Sequence, residues 1–440
     1  MNRCAVRNAA RAYIALFLMA ICASAPARAA ETPEMYAAWR DHVVQIQVID
    51  DAAGSKAGTG SGFVAGRPDW IVSNYHVIAE LVNSPGEYRA RFVAENGTQG
   101  ELDVIAVDAV HDLALLQAPV GLAEPLPLAG EEPPRGSRLW SMGYPYDIGL
   151  TIVEGTYNGM LEKSLYEKLH FTGSINPGMS GGPAFDGDGA VVGVNVATAG
   201  NQVSFLVPVR FAGAMLKGAE SRLPGRQDLN QEVARQLLEN QDRITDELLA
   251  RRFATTRLGS FRVPAALAGW FDCWGDSQDE PDDELDIVSY RCETQDDIFL
   301  SDQMKSGVIQ YQHDRISSGE LGSWRFYHQL ESLGYYPLMQ LGGEEDSVTN
   351  YRCRSDFVDQ QGLPLKVTWC VRRYLKLEGL YDAYLEATSL SEPREALQSG
   401  LLLAGFSWKN LERLSTRFLE SISMDSQDGK NRSAAAGAAP

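Results

Sequence analysis

The chain has 440 residues, 44% of them hydrophobic and 22% charged, which is enough for two or three folded domains. Its formal net charge is −19, with a pI near 4.8. That balance excludes a nucleic-acid backbone or an anionic membrane surface as its main partner.

The first segment reads as a secretory signal. Arg3, Arg7 and Arg11 precede a mostly apolar run, Ala12 to Ala25, which is too short to span a bilayer. Ala27-Arg28-Ala29 fits a small-x-small cleavage site, so residues 1–29 are expected to be removed. Ile21 is too bulky for the lipid-attachment pattern that Cys22 would need. No later stretch is long and apolar enough for a membrane span. A periplasmic or secreted location follows.

Residues 36–218 read as short strands. His42 to Val48 alternates polar and apolar, and further runs lie at Trp70–Ser73, Arg89–Ala94, Asp103–Val107, Asp112–Ala118 and Arg138–Gly143. Thr151–Glu154, Gly189–Ala197 and Gln202–Pro208 complete the set, which predicts an all-β sandwich or barrel. Gly58-Thr59-Gly60-Ser61-Gly62 reads as a barrel turn, since it lacks the Lys of a phosphate loop. Asp186-Gly187-Asp188-Gly189 reads as a hairpin turn rather than a calcium loop. Leu229, Val233, Leu237, Ile244 and Leu248 recur at helical spacing, so residues 219–258 are expected to form a helical linker.

Residues 259–425 form a second unit, expected to be α+β. It holds Trp270, Trp274, Trp324, Trp369 and Trp408 and the four mature cysteines, Cys273, Cys292, Cys353 and Cys370. An exported chain with four cysteines calls for two disulfides, of three possible connectivities. Pairing of neighbours is expected, Cys273–Cys292 and Cys353–Cys370. The spacing is wrong for zinc. Tyr290-Arg291-Cys292 recurs as Tyr351-Arg352-Cys353, a faint echo of duplication. Leu397 to Ile422 reads as helical, and 426–440 as a disordered tail. This unit could bind a protein or envelope partner.

The chemistry centres on Asn176-Pro177-Gly178-Met179-Ser180-Gly181-Gly182-Pro183. A serine between glycines is a nucleophile candidate, with small neighbours that leave backbone N–H groups free to hold an oxyanion. Gly178-Met179-Ser180-Gly181-Gly182 also fits the G-x-S-x-G elbow, but that motif needs a helix next. Here Asp186 to Gly189 and an apolar strand follow instead. Upstream, His76 emerges from Trp70-Ile71-Val72-Ser73-Asn74-Tyr75-His76, and Asp112 opens Asp112-Leu113-Ala114-Leu115-Leu116. Base, acid, then serine is the order used by chymotrypsin-type enzymes.

These segments, with Gly60-Ser61-Gly62-Phe63-Val64, Gly193-Val194-Asn195 and Ser204-Phe205-Leu206-Val207-Pro208, resemble the trypsin-like serine peptidases, most closely the HtrA/Deg group of bacterial envelope proteases. The resemblance covers about residues 40–215. It implies a double β-barrel peptidase domain with His76 from the first barrel, Asp112 from the link and Ser180 from the second. It further implies an oxyanion hole from Gly178 and Ser180, a polypeptide substrate, and no cofactor or metal. Ser174, six residues before Ser180, would sit at the base of the primary pocket, and Val196, Ala197 and Thr198 would line it. A pocket without a carboxylate there should take small or medium apolar side chains. No PDZ-like segment follows residue 218, where the Cys- and Trp-rich unit stands instead.

Overall fold

The computed structural model describes residues 32–198, 200, 202–221, 228–278, 284–333, 341–390 and 392–425. The segment read as a signal, residues 1–29, and the tail 426–440 lie outside them.

After helix α1 (Thr32–Trp39) come two closed six-stranded barrels. The first holds β1 (Val43–Asp50), β2 (Ser55–Val64), β3 (Trp70–Ser73), β4 (Tyr88–Ala94), β5 (Gln99–Asp108) and β6 (Leu113–Gln117), in the order β1-β2-β3-β6-β5-β4. The second holds β7 (Arg138–Gly143), β8 (Thr151–Met160), β9 (Leu169–Phe171), β10 (Pro183–Phe185), β11 (Val191–Thr198) and β12 (Ser204–Pro208), in the order β10-β11-β12-β9-β8-β7. This is the double-barrel, chymotrypsin-like architecture. Closure pairs every edge strand, so the short alternating runs need no long strand to be stable.

Gly58 to Gly62 is not a turn but part of β2. Its glycines are there for close approach: a Cβ on Gly60 would come within 2.6 Å of the Val77 methyls, and one on Gly62 within 2.5 Å of Ile71 Cγ2. Tyr75 to Asn83, where the sequence reading placed no element, is helix α2, whose Tyr75, Val77, Ile78, Ala79 and Val82 are buried. Its apolar spacing of three and four was hidden by the brevity of the segment.

Helix α3 (Val209–Glu220) follows the second barrel and packs into the apolar cluster shared by both barrels, and α4 (Leu229–Leu249) comes next. Asp228 caps α4, its carboxylate accepting from Gln231 N. Val233, Ala234 and Leu237 pack into the first barrel's core, while Ile244 and Leu248 belong to the C-terminal core. One helix thus ties two cores together.

The C-terminal region begins with β13 (Thr255–Leu258) and β14 (Phe261–Pro264), then builds one antiparallel seven-stranded sheet. Its strands are β15 (Phe271–Gln278), β16 (Asp286–Thr294), β19 (Ile309–Ser317), β20 (Arg352–Gln360), β21 (Leu363–Arg373), β22 (Tyr381–Ser389) and β23 (Glu395–Phe406). The order is β15-β16-β19-β23-β22-β21-β20. A separate hairpin, β17 (Ile298–Ser301) and β18 (Met304–Ser306), leaves the sheet between β16 and β19. Helices α5 (Ser323–Leu333) and α6 (Trp408–Glu420) complete the unit, and β24 (Ser423–Met424) pairs with β14. The region is α+β, with Leu411, Leu414 and Phe418 of α6 packed into the same core as Tyr311, Leu385, Leu401 and Leu403 of the sheet.

Both disulfides form as expected. Cys273 and Cys292 are direct cross-strand partners in β15–β16, and Cys353 and Cys370 in β20–β21. Leu397 to Phe406, read as the start of a helix, is instead the central strand β23. A continuous apolar run buried on both faces carries no period that separates strand from helix. The repeated Tyr-Arg-Cys falls on the inner strand β16 and on the edge strand β20, so the echo does not mark equivalent positions. No helix among the described residues is long and apolar enough to cross a membrane.

Candidate active site

Strand β3 ends at Ser73, and the chain turns into α2 with His76 in its first turn. Asn74 sits at the cap position but makes no side-chain cap bond. Asp112 supplies the cap from elsewhere: its Oδ1 accepts from the His76 backbone N–H at 2.8 Å. Its other oxygen, Oδ2, lies 2.6 Å from His76 Nδ1. One carboxylate therefore holds both the peptide and the ring of the same histidine. Asp112 itself is fixed in a left-handed turn, with φ of 56°, and Asn74 Nδ2 donates to its carbonyl at 2.7 Å. That turn joins β5 to β6 inside the first barrel. Asp112 therefore does not come from the link between barrels, as the resemblance implied, because β6 directly after it is a barrel strand paired with β3 and β5.

The Nδ1–H donated to a carboxylate leaves Nε2 as the lone-pair nitrogen. Nε2 has no hydrogen-bond partner among the described residues. Burial pulls the His76 pKa down. The charge and hydrogen bond of Asp112, with a smaller contribution from Asp302, more than offset it, and the net shift is upward.

Ser180 lies on the turn between β9 and β10 of the second barrel. Gly178 has φ of 96° and Gly181 of 85°, conformations that favour glycine. The turn is pressed against the first barrel. Ser61 N donates to Ser180 O at 2.8 Å, and Ser61 Oγ donates to Gly178 O at 2.7 Å. A Cβ on Gly181 would come within 2.4 Å of Ser73 Oγ and 3.0 Å of Asn74 N, on the segment leading into His76. From within the second barrel, buried Asn195 donates Nδ2 to Met142 O at 3.1 Å and to Met179 O at 3.2 Å. Met179 N is turned back to Asn176 O at 2.9 Å, while Gly178 N and Ser180 N have no protein acceptor among the described residues. Two free donors flanking one occupied donor is the pattern an oxyanion hole needs.

Ser180 Oγ donates to Val196 O at 3.4 Å, a long and weak bond, and makes none to His76 among the described residues. Breaking it costs little, and such contacts often tighten only with substrate bound. Ser174 is exposed, on the stretch between β9 and the Ser180 turn. Val196 is half-buried against the apolar cluster shared by the two barrels, and Ala197 and Thr198 end β11, paired with Phe205 and Ser204. The side chains of Ala197 and Thr198 lie outside what the structure describes. No cluster of three or more His, Cys, Asp or Glu that could hold a metal occurs among the described residues. Sequence reasoning named Ser61 and Asn195 only as motif letters. Their role as clamps on the nucleophile turn depends on contacts 117 and 16 residues away along the chain.

Residues 60–194 match the family described as trypsin-like peptidase domain. Protease Do-like 5, chloroplastic, of Arabidopsis thaliana is 33% identical over 184 residues, which cover 37% of this chain and 57% of that protein. The mitochondrial serine protease HTRA2 of Bos taurus is 32% identical, covering 34% and 33%. The probable periplasmic serine endoprotease DegP-like of a Marinomonas species is 28% identical, covering 38% and 37%. A crystal structure of Deg5 aligns with a TM-score of 0.37 and 30% identity, covering 42% of this chain and 94% of that one. The chain spans less than two thirds of the length of these curated relatives.

Proposed function

We propose that this chain, which carries a trypsin-like peptidase domain with HtrA/Deg homologues, is an exported serine endopeptidase that works through His76, Asp112 and Ser180. Ser180 Oγ attacks the scissile carbonyl as His76 Nε2 takes its proton. His76 then gives that proton to the leaving amine, and water repeats the sequence on the acyl-enzyme. Asp112 keeps the proton on Nδ1 and stabilises the imidazolium. The N–H groups of Gly178 and Ser180 hold the developing oxyanion, each donor worth roughly 3–4 kcal/mol in the transition state. The observation that carries this reading is the doubly bonded Asp112–His76 pair with Nε2 left open, beside a serine turn that keeps two backbone donors unspent.

Ser174 and the Val196 to Thr198 segment make the primary pocket in this proposal, and the absence of a carboxylate there favours small or medium apolar side chains. The signal segment and the two disulfides support a periplasmic or secreted site of action in envelope protein processing or quality control. A fluorophosphonate probe tests the chemistry. Wild type is expected to be labelled and Ser180→Ala not. Failure of both to label would leave the barrels a silent scaffold, with function in the C-terminal domain.

A further inference from the structure

The hairpin β17–β18 belongs by sequence to the C-terminal domain, yet it does not pair with the seven-stranded sheet. An isolated two-stranded hairpin is barely stable in water, so something else must hold it. It is held by the peptidase. Ile298, Leu300 and Met304 are buried in the same apolar cluster as Tyr75, Ile78 and Val82 of α2, the helix that carries His76. Asn83 Nδ2, at the end of that helix, donates to Leu300 O at 2.7 Å.

A second set of bonds runs to the other barrel. Asp296, just before the hairpin, is only 6% exposed. One of its oxygens accepts from Ser164 Oγ at 2.7 Å and Leu165 N at 2.7 Å, and the other from Lys168 Nζ at 2.6 Å. Those three residues lie between β8 and β9 of the second barrel. Gly307, just after the hairpin, has φ of 74°, and a Cβ there would meet Tyr166 Oη at 2.9 Å. The hairpin therefore bridges the two barrels whose cleft holds the proposed triad. Between the two buried residues Ile298 and Leu300 stands Phe299, half-buried, its ring meeting the His76 ring edge-on at 5.9 Å between centroids. That spacing is inside the range of about 4.5–7 Å at which aromatic rings attract.

We infer that the 296–306 hairpin is a working part of the peptidase cleft, in which Phe299 positions the His76 imidazole and walls the cleft beside it, while Asp296 latches the hairpin to the second barrel. The inference rests on the reading of His76 as the base. Asp112 fixes the imidazole at one nitrogen only, and a ring held at one point can still swing. Phe299 limits that swing from the side and keeps water from it, yet the His76 side chain remains 26% exposed, so the wall lines the site without sealing it. Phe299 is accordingly a positioning residue, and substrate side chains that lie over His76 must pack against its ring. The charged groups facing the imidazole are Asp112 and, from the hairpin turn, Asp302.

The test uses the full-length chain and the rate of fluorophosphonate labelling of Ser180 as a function of pH, for wild type, Phe299→Ala, Phe299→Leu and Asp296→Asn. Phe299→Ala is expected to slow labelling at neutral pH by about tenfold to a hundredfold, the scale on which small misplacements act. It should also move the midpoint of the acid limb to higher pH, because water then reaches the imidazolium. Phe299→Leu, which keeps an apolar wall, should recover most of the rate. Asp296→Asn should slow labelling in the same sense as Phe299→Ala. A Phe299→Ala protein that melts like wild type and labels at the wild-type rate with an unmoved acid limb overturns the inference and leaves the triad intact. A slower rate with an unmoved limb in Phe299→Ala, unrescued by Phe299→Leu, also overturns it, as mere structural damage. If wild type itself is not labelled, the triad reading falls and this inference falls with it.

Discussion

In the first barrel His76 is held by a carboxylate and keeps 26% of its side chain exposed. In the C-terminal sheet His313 is fully enclosed, with the Ser399 hydroxyl 2.8 Å from Nδ1. Burial pushes the His313 pKa down to about 3, whereas His76 ends above its ordinary value. The same side chain is thus set up to accept a proton in one place and prevented from doing so in the other. Burial pulls both rings the same way, and it is Asp112 that reverses the balance at His76. The sheets around them differ in a parallel way. The barrels have no free edges, while the C-terminal sheet has two, β15 and β20, and each carries a cross-strand disulfide to its neighbour.

The largest effect should come from removing what separates the two histidines. Asp112→Asn is expected to lower kcat/KM by about 10⁴-fold, through the wrong His76 tautomer, with little loss of fold. Steady-state kinetics beside a melting curve checks this, and a loss under tenfold would put His76 on a par with His313. Next in size are the staples. Each disulfide closes a loop of fewer than twenty residues, with sequence separations of 19 and 17, for about 3 kcal/mol in the loop-entropy model. Calorimetry with and without reductant should therefore show the C-terminal domain melting earlier while the barrels, which hold no cysteine, hold their transition. An equal shift in both would show that the shared helix α4 couples them fully.

The smallest effect concerns acid. His313 stays neutral in the fold, but the unfolded chain protonates below about pH 6.5. The folded pKa is depressed, so the stability of the C-terminal domain is fully present above about 6.5 and is lost as pH falls toward 3. His76 has the opposite sign: its raised pKa adds stability below about 6.5 that disappears as pH rises through the folded value. Amide protection factors in β19 and β23 should fall at low pH, and fall less in His313→Phe. An unchanged pH dependence in that variant would sink the assignment.

Much of this was legible in the chain itself. The Ser180 turn, its two upstream partners and their order pointed to a double barrel, because those segments carry local constraints: glycines for positive φ, a strand where an elbow would need a helix. Neighbouring cysteines paired because they face each other across single hairpins. What escaped was set by distant contacts. Helix α2 is too short to announce itself, Asp112 reads the same in a link or in a barrel turn, and β23 has no period when both faces are buried. Phe299 gave no signal at all. Ile298-Phe299-Leu300 is an ordinary apolar run, and only the folded chain brings it, more than two hundred residues after His76, onto that ring.

The central claim is that Ser180 cleaves peptide bonds from a pocket without a carboxylate. Digestion of an unstructured protein, with the fragments identified by mass spectrometry, tests it most directly, using wild type and Ser180→Ala side by side. Wild type is expected to cut after small or medium apolar residues such as Val and Ala, and Ser180→Ala to make no cuts. Cuts that persist in Ser180→Ala, or that fall after Lys and Arg and spare Val and Ala, would contradict it.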